Sequence, residues 1–253
     1  MILGLGIALN VAALIVLTVL GAHFVREYRI LRKFARDLAV AHGTERALAL
    51  ELTGTIYSDV KHKRDVDFIA VPPLSALGST PVTVLSEGGC CSGLARLTIV
   101  CLKLVGIRSG QITLYHASGN AQHCLVEATL SDGEKLILDP HYGIYYRDSR
   151  DQGIGLRELQ LGARPVFRSL PHSDKVSYPD RDYYNFDFRK TRTANWTMSR
   201  ARVVAYWILV RATGGAIDRF KQPVALEWPQ LMLMVVVMGT ALLANAILWL
   251  QGQ

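Results

Sequence analysis

The sequence predicts an α+β domain held between two membrane-spanning helices, one at each end of the chain. Three observations carry that prediction. Residues 1–25 and 228–253 contain no Asp, Glu, Lys or Arg. Between them, an apolar-periodic helical stretch is followed by three extended segments, the last two joined through Ser131-Asp132-Gly133-Glu134. The 253 residues are 50% hydrophobic and only 19% charged, which excludes a disordered or fibrous protein.

The elements follow in order. Residues 1–25 suffice to cross the hydrocarbon core, which takes roughly 20 apolar residues at about 1.5 Å each. No basic residues precede this apolar run, so an uncleaved anchor is expected rather than a leader peptide. Residues 26–60 read as a juxtamembrane basic helix, with Ile30, Phe34, Leu38 and Ala41 at helical spacing. Residues 61–195 form the central domain, beginning with a short strand or loop over 65–73 that Pro72-Pro73 terminates. After Gly88-Gly89, residues 91–105 predict a helix burying Leu94, Ala95, Thr98, Cys101, Leu102 and Val105, with Gly106 as its stop. Extended segments are expected at 111–117, 122–130 and 135–139, and irregular cover from 142 to 192. Residues 196–227 read as an amphipathic helix and linker, since the apolar run 203–210 is too short to span and must lie in the membrane interface or pack on the domain. Residues 228–253 form the second span, with Trp228 and Trp249 spaced as two interfacial belts.

Charge sets the expected orientation. The net charge is +7, but residues 22–40 and 196–227 together hold ten basic and four acidic residues, so the flanks account for +6. The central stretch is close to neutral, which removes the motive for a nucleic-acid partner. Basic flanks stay on the cytoplasmic side. The expected arrangement is therefore an integral inner-membrane protein with two spans in the lipid bilayer and its domain facing the cytosol.

Cys90, Cys91, Cys101 and Cys124 are the four cysteines. A cytosolic address keeps them reduced, and the absence of any C-x-x-C pair argues against a zinc site. Packing or thiol chemistry remains. A thiol becomes a nucleophile when ionised, and a helix N-terminus with a neighbouring imidazole favours the thiolate. Cys91 is predicted at such an N-terminus. Taken singly, Cys91 reads as a small buried hydrophobe, His123 as a hydrogen-bonded sheet residue and Asp139-Pro140 as a strand end.

Taken in order, Gly89-Cys90-Cys91, Ala95, Gly106-Ile107, His123-Cys124-Leu125-Val126-Glu127 and Asp139-Pro140 resemble the transglutaminase-like superfamily, a papain-type Cys-His-Asp fold, here in a membrane-anchored bacterial form. The resemblance covers residues 85–146. It departs at Leu125, where the family carries an aromatic residue, and at Arg108-Ser109, where it carries Pro-Ala. The family spacing favours Cys91 over Cys90, with Gly106 fifteen residues on.

The resemblance implies that Cys91 attacks an acyl carbon, His123 holds the thiolate and protonates the leaving group, and Asp139 fixes the imidazole tautomer. The backbone N–H of Cys91 is the expected oxyanion donor. Strand alternation adds a condition. A two-residue Asp132-Gly133 turn would place 139 opposite 126 and turn His123 to the other face. A three-residue Ser131-Asp132-Gly133 loop with Gly133 left-handed places 139 opposite 125, on the face of His123. That loop is predicted.

Secondary candidates are Cys90, His141 and Glu127. His116 and His141 flank the strands, and Glu127 is expected to form a surface pair. Asn195-Trp196-Thr197 fits a glycosylation acceptor that a cytosolic placement would leave idle. The expected protein is a membrane-anchored cysteine enzyme for acyl transfer or amide hydrolysis, with a peptide or protein amide as substrate and neither metal nor organic cofactor. The contrasting expectation is a non-enzymatic membrane adaptor with the same fold. The aromatic and basic stretch 183–196 would then dock a membrane-protein partner, as the resemblance to members accompanying envelope polysaccharide assembly implies.

Overall fold

A computed structural model describes residues 2–61, 80–115, 121–173, 187–193, 200–219 and 228–251. The expected segment 65–73, His116, Asn195-Trp196-Thr197 and half of 183–196 lie outside the described residues. The chain divides into two units, one of Met1–Ile30 with Pro223–Gln253 and the other of Leu31–Gln222.

The terminal unit is a pair of long apolar helices. Helix α1 runs Ile2–Ala39 and α7 runs Pro229–Gln251. Both are long and apolar enough to cross a membrane. They pair antiparallel. Asn10 and Asn245 exchange side-chain amide hydrogen bonds at 3.3 and 2.8 Å, and Gly6 leaves room for Asn245 and Leu248. Reciprocal amide bonding with a small residue opposite is how two helices associate in lipid, where apolar burial supplies no drive. At the other end Gln230 donates to Glu27 at 2.6 Å, and Trp228 stacks edge-on against Phe24 with ring centroids 5.1 Å apart. Trp249 is 64% exposed. Trp228 is instead buried in the helix pair, because Phe24 gives its ring an apolar partner.

The second unit is α+β, with one antiparallel five-stranded sheet. The single helix expected over 26–60 is broken, because His42-Gly43 ends the first helix and Thr44 starts another by accepting a hydrogen bond from Ala47 N–H at 3.2 Å. That helix, α2, spans Glu45–Thr55 and continues into a π-helical turn at Ile56–Val60. Helix α3, Pro81–Glu87, has Thr80 as N-cap and Pro81 in its first turn. Helix α4 spans Cys91–Leu104.

The sheet is a meander in the order β1-β2-β3-β4-β5. Its strands are β1 Arg108–Tyr115, β2 Ala121–Thr129, β3 Lys135–Asp139, β4 Ile144–Arg147 and β5 Val166–Ser169. The first three match the expected extended segments. The irregular cover expected over 142–192 is corrected by β4, β5 and a short helix α5, Leu156–Gln160. β4 was hidden because Tyr145-Tyr146-Arg147 breaks the polar and apolar alternation, although Tyr146 and Arg147 are both buried.

Helix α4 packs on β1 and β2, and the Ser109 hydroxyl donates to the Ile99 carbonyl between them at 3.2 Å. Its other side meets α2 and α3. Residues 94–102 are therefore buried all round, not along one stripe as expected, which is the mark of a helix enclosed on every side. Ile112, Leu114, Leu125, Ile137, Ile144 and Tyr146 make the core on the opposite sheet face.

The β2–β3 register is the one the site requires. Val126 faces Leu138 and Thr129 faces Lys135, so the same alternation sets residue 139 against 125. Ser131-Asp132-Gly133 is the loop, with Gly133 at φ +90°. Leu130 N–H donates to Glu134 O at 2.9 Å across its base. His123, the third residue of β2, and Asp139, the last of β3, thus share one face and one end of the sheet.

Candidate functional site

The start of α4 is aimed by the corner before it. Helices α3 and α4 meet at 115°, and the turn passes through Gly88 at φ 84°, a conformation that favours glycine. Val84 of α3 lies where a Cβ on Gly89 or Gly93 would come within 3.3 Å. Two missing side chains therefore let α3 close on the first turn of α4. Cys90 is the N-cap residue, with extended backbone, and its Sγ turns to the Ser92 hydroxyl at 3.2 Å. Cys91 is the first helical residue, where backbone N–H groups are unpaired and the helix dipole favours an anion.

The Cys91 thiol lies near enough to the Cys124 and His123 side chains for both to act on its ionisation. On its far side, His123 Nε2 lies 2.8 Å from Asp139 Oδ2. A carboxylate only accepts, so Nε2 donates, and the remaining ring nitrogen, Nδ1, is the one left for the thiol. His123 is 5% exposed and Asp139 is 0% exposed. This bridge is shielded from water.

Asp139 is itself fixed. Its Oδ1 accepts from the backbone N–H groups of His141 at 2.9 Å and Tyr142 at 3.0 Å. The turn that presents those amides closes with Gly143 N–H on the Asp139 carbonyl at 3.0 Å. Gly143 has φ 68°, and a Cβ there would stand 2.8 Å from the Tyr57 ring. The run Asp139-Pro140-His141-Tyr142-Gly143 is thus a clamp that spends two backbone donors on one buried carboxylate.

These contacts set the protonation states. The Cys124 hydrogen bond is the largest influence on Cys91; against the opposing effect of burial, it and the hydrogen bond and charge of His123 pull the thiol from near 9 to about 4. Cys124 is pushed well above the ordinary thiol value by the hydrogen bond it gives Cys91 and by burial. Burial alone would lower His123, but the Asp139 charge and hydrogen bond outweigh it and raise the ring to about 10. Between those values the resting pair is thiolate and imidazolium. Burial pushes the Cys101 thiol up, leaving it inert.

His141 stands beside the pair. Its ring is 5.7 Å from that of His123 and edge-on to it. Burial lowers its pKa, with Asp139 opposing in part. Its Nδ1 has no hydrogen-bond partner among the described residues. Glu127 belongs elsewhere: it accepts from Leu156 N–H at 2.9 Å and faces Lys135 at 4.0 Å, four residues from His123 and so about 13 Å along the strand. No group of three or more His, Cys, Asp or Glu among the described residues could hold a metal ion.

Cys124 and Tyr142 were not legible as site residues. Alternation turns Cys124 away from the face of His123, toward Gln111 Nε2 at 3.6 Å and the Thr113 hydroxyl at 3.9 Å. It still reaches Cys91 because the thiol sits at the end of the sheet, where both sides of β2 converge. The adjacency of Cys124 to His123 was the available signal. Tyr142, with its ring 5.3 Å from His123, was signalled only by the turn that Gly143 requires.

Comparison with protein-family models and with curated proteins gives no match. Among solved structures, a "putative protease" from Parabacteroides distasonis ATCC 8503 aligns with a TM-score of 0.29 and 16% identity, over 49% of this chain. The chain spans about a quarter, 26%, of that protein's length. A likeness this slight carries no argument, and the reading of the site rests on its own geometry.

Proposed function

We propose that the protein is a membrane-anchored cysteine enzyme of transglutaminase-like, papain-type architecture, performing acyl transfer or amide hydrolysis through Cys91, His123 and Asp139. The observation that supports this reading is the buried His123–Asp139 bridge at 2.8 Å beside the first residue of α4, where Cys91 and His123 each shift the other toward thiolate and imidazolium.

In this mechanism the Cys91 thiolate adds to the carbonyl carbon of an amide. The oxyanion that forms is met by the backbone N–H of Cys91, a donor whose type contributes about 3–4 kcal/mol. His123 gives its proton to the leaving amine as the carbon–nitrogen bond breaks, and a thioester on Cys91 remains. The ring, now neutral, takes a proton from water or an acceptor amine, which adds to the thioester. Collapse releases the acyl product and restores the thiolate and imidazolium. Asp139 keeps Nε2 protonated throughout, so that Nδ1 always serves the sulfur. Two spans with basic flanks on the cytoplasmic side would place this chemistry at the inner face of the inner membrane.

Iodoacetamide labelling of the full-length protein across pH tests the reading. One fast thiol at neutral pH is expected, absent in Cys91→Ala and retained in Cys90→Ala. Equal, slow labelling of all four cysteines would overturn the enzyme and leave the non-catalytic membrane adaptor. A reporter fused after Gln253 tests orientation and should be active outside the cytosol.

A further inference from the structure

Helix α6, Arg200–Thr213, presents the wrong residues to water. Val203, Val204, Trp207 and Ile208 are between 48% and 57% exposed. Together with Arg211 they make one continuous stripe, because positions i, i+1, i+4, i+5 and i+8 share a side of a helix. A helix on the surface of a soluble domain turns polar residues outward, and an apolar stripe left exposed marks a contact surface.

The opposite face is already engaged. The Arg192 guanidinium lies 4.5 Å from the Tyr206 ring of α6 and 4.5 Å from the Tyr115 ring of β1. The main chain of Arg192 pairs with Thr113 in both directions, at 2.7 and 3.0 Å. The stripe therefore lies away from the side of α6 that meets Arg192.

Three features identify what covers it. Arg211 stacks over the face of Trp207 at 3.9 Å, which sets a cation on an amphipathic ring, as at a lipid headgroup boundary. Arg200, Arg202, Arg211, Arg219 and Lys221 give this part of the sequence the charge that anionic headgroups attract. Only residues 220–227 lie between the 3-10 turn Ala216–Arg219 and Trp228 at the start of the second span. Extended, that tether reaches about 30 Å, so the stripe is never far from the bilayer.

We infer that the outer face of α6 lies in the lipid–water interface of the membrane that α1 and α7 cross, and that the Cys91 site draws its acyl substrate from molecules held at that surface. The second half rests on the proposed function. Thr113 and Cys124 are cross-strand partners, so Arg192 stands two strand spacings, about 10 Å, from Cys124 and hence close to the thiol it supports. Seating α6 on lipid would hold the site within about one helix diameter and two strand spacings, roughly 20 Å, of that surface. An amide on a lipid-anchored molecule or a juxtamembrane peptide segment would then arrive already concentrated.

Full-length protein in vesicles of phosphatidylcholine and phosphatidylglycerol, with plain or brominated acyl chains, tests the seating. The emission of Trp207 is obtained as the difference between wild type and Trp207→Phe. Quenching of that difference by at least half in brominated vesicles is expected; a difference untouched by bromine and quenched by aqueous iodide would overturn the seating. In plain vesicles, N-dodecyl iodoacetamide should alkylate Cys91 at least tenfold faster than iodoacetamide, and the double variant Trp207→Glu/Ile208→Glu should lower that ratio at least fivefold. An unchanged ratio would overturn the surface-held substrate. Failure of iodoacetamide itself to find a fast thiol at Cys91 would instead sink the enzyme, while the bromine result still decides the seating.

Discussion

The two ends of the β2–β3 hairpin hold contrasting polar chemistry. At the loop end, Arg46, Asp132, Glu134, Lys135, Asp148 and Glu158 line a pocket of about 610 Å³. Its charge is abundant, yet each of its carboxylates is engaged with backbone. Glu134 accepts from Gly153 N–H, Glu158 from Gly155 N–H, Asp132 from Glu134 N–H, and Asp148 from Arg150 and Gln152 N–H. At the strand end there are fewer carboxylates and no Lys or Arg among the groups named, but burial and mutual contact shift Cys91, His123 and Cys124 far from their ordinary values. Cavity size and charge density therefore do not distinguish a reactive site; a charge separated from water and held by another charge does.

The most severe test removes the nucleophile. Cys91→Ala is expected to abolish the fast-labelling thiol and to lower any amide or thioester turnover by at least about 1,000-fold, since a residue that forms the covalent intermediate has no substitute. Glu134→Gln, at the loop end, should leave both within about twofold. Comparable losses from both variants would erase the contrast between the ends.

Next in size is the clamp. Asp139→Ala removes a fully buried carboxylate that accepts two backbone N–H bonds and pairs with His123. The orphaned amides and unpaired ring should cost about 3–5 kcal/mol, read as a fall in urea midpoint. Labelling of any folded fraction should move its pH midpoint upward from about 4 by at least two units. The midpoint is the informative quantity, because a thiol of higher pKa is also a stronger nucleophile and the two effects offset each other in the rate.

How much of this was legible follows from where each constraint is local. The start of α4 at Cys91 was readable because a glycine pair and an apolar period are both written within a few residues. The hairpin register was readable only through the resemblance, because Ser131-Asp132-Gly133-Glu134 allows a two- or a three-residue loop and the Cys-His-Asp pattern requires the latter. Strands β4 and β5 were not readable. Ile144–Arg147 has four residues, and its place in the sheet comes from pairing with Asp139 and Phe167, which no local pattern records. The break at His42-Gly43 was passed over because Ala41 continues the apolar spacing of α1. Cys124 is not legible as a site residue because strand alternation turns it away from the face of His123, and only the folded chain brings it beside the Cys91 thiol.

The pH dependence of stability sharpens the contrast further. His123 has a folded pKa near 10 against 6.5 unfolded, so its contribution is complete below about 6.5 and is lost as pH rises through 10. Cys91 is the reverse: with a folded value near 4 against 9 unfolded, its contribution is complete above about 9 and is lost as pH falls through 4. Between 6.5 and 9 the two slopes oppose, and wild-type stability should be nearly flat. Cys91→Ala removes the opposing slope together with the part of the His123 shift that Cys91 supplies; Asp139 still raises the ring, so stability should decline by about 1 kcal/mol per pH unit from about 6.5 upward, over a narrower window than the wild-type values span. A flat profile in the variant as well would mean that the imidazole is not held as a cation.

The smallest expected effect is at Gly133, where φ is +90° and nothing stands within 4 Å of a would-be Cβ. Ala there meets no neighbour and strains only its own backbone, so Gly133→Ala should lower stability by about 1–2 kcal/mol. If the loop keeps its three residues, Thr129 stays opposite Lys135, His123 stays on the face of Asp139, and the pH midpoint of Cys91 labelling does not move. If the strain is relieved by slipping to a two-residue turn, every side chain of β3 changes face. The Cys91 midpoint would then rise toward that of a free thiol, about 8.5. One exposed glycine thus separates two outcomes at the far end of the sheet, and a stability loss without a change in labelling is the result expected from a register fixed by the buried strands as well as by the turn.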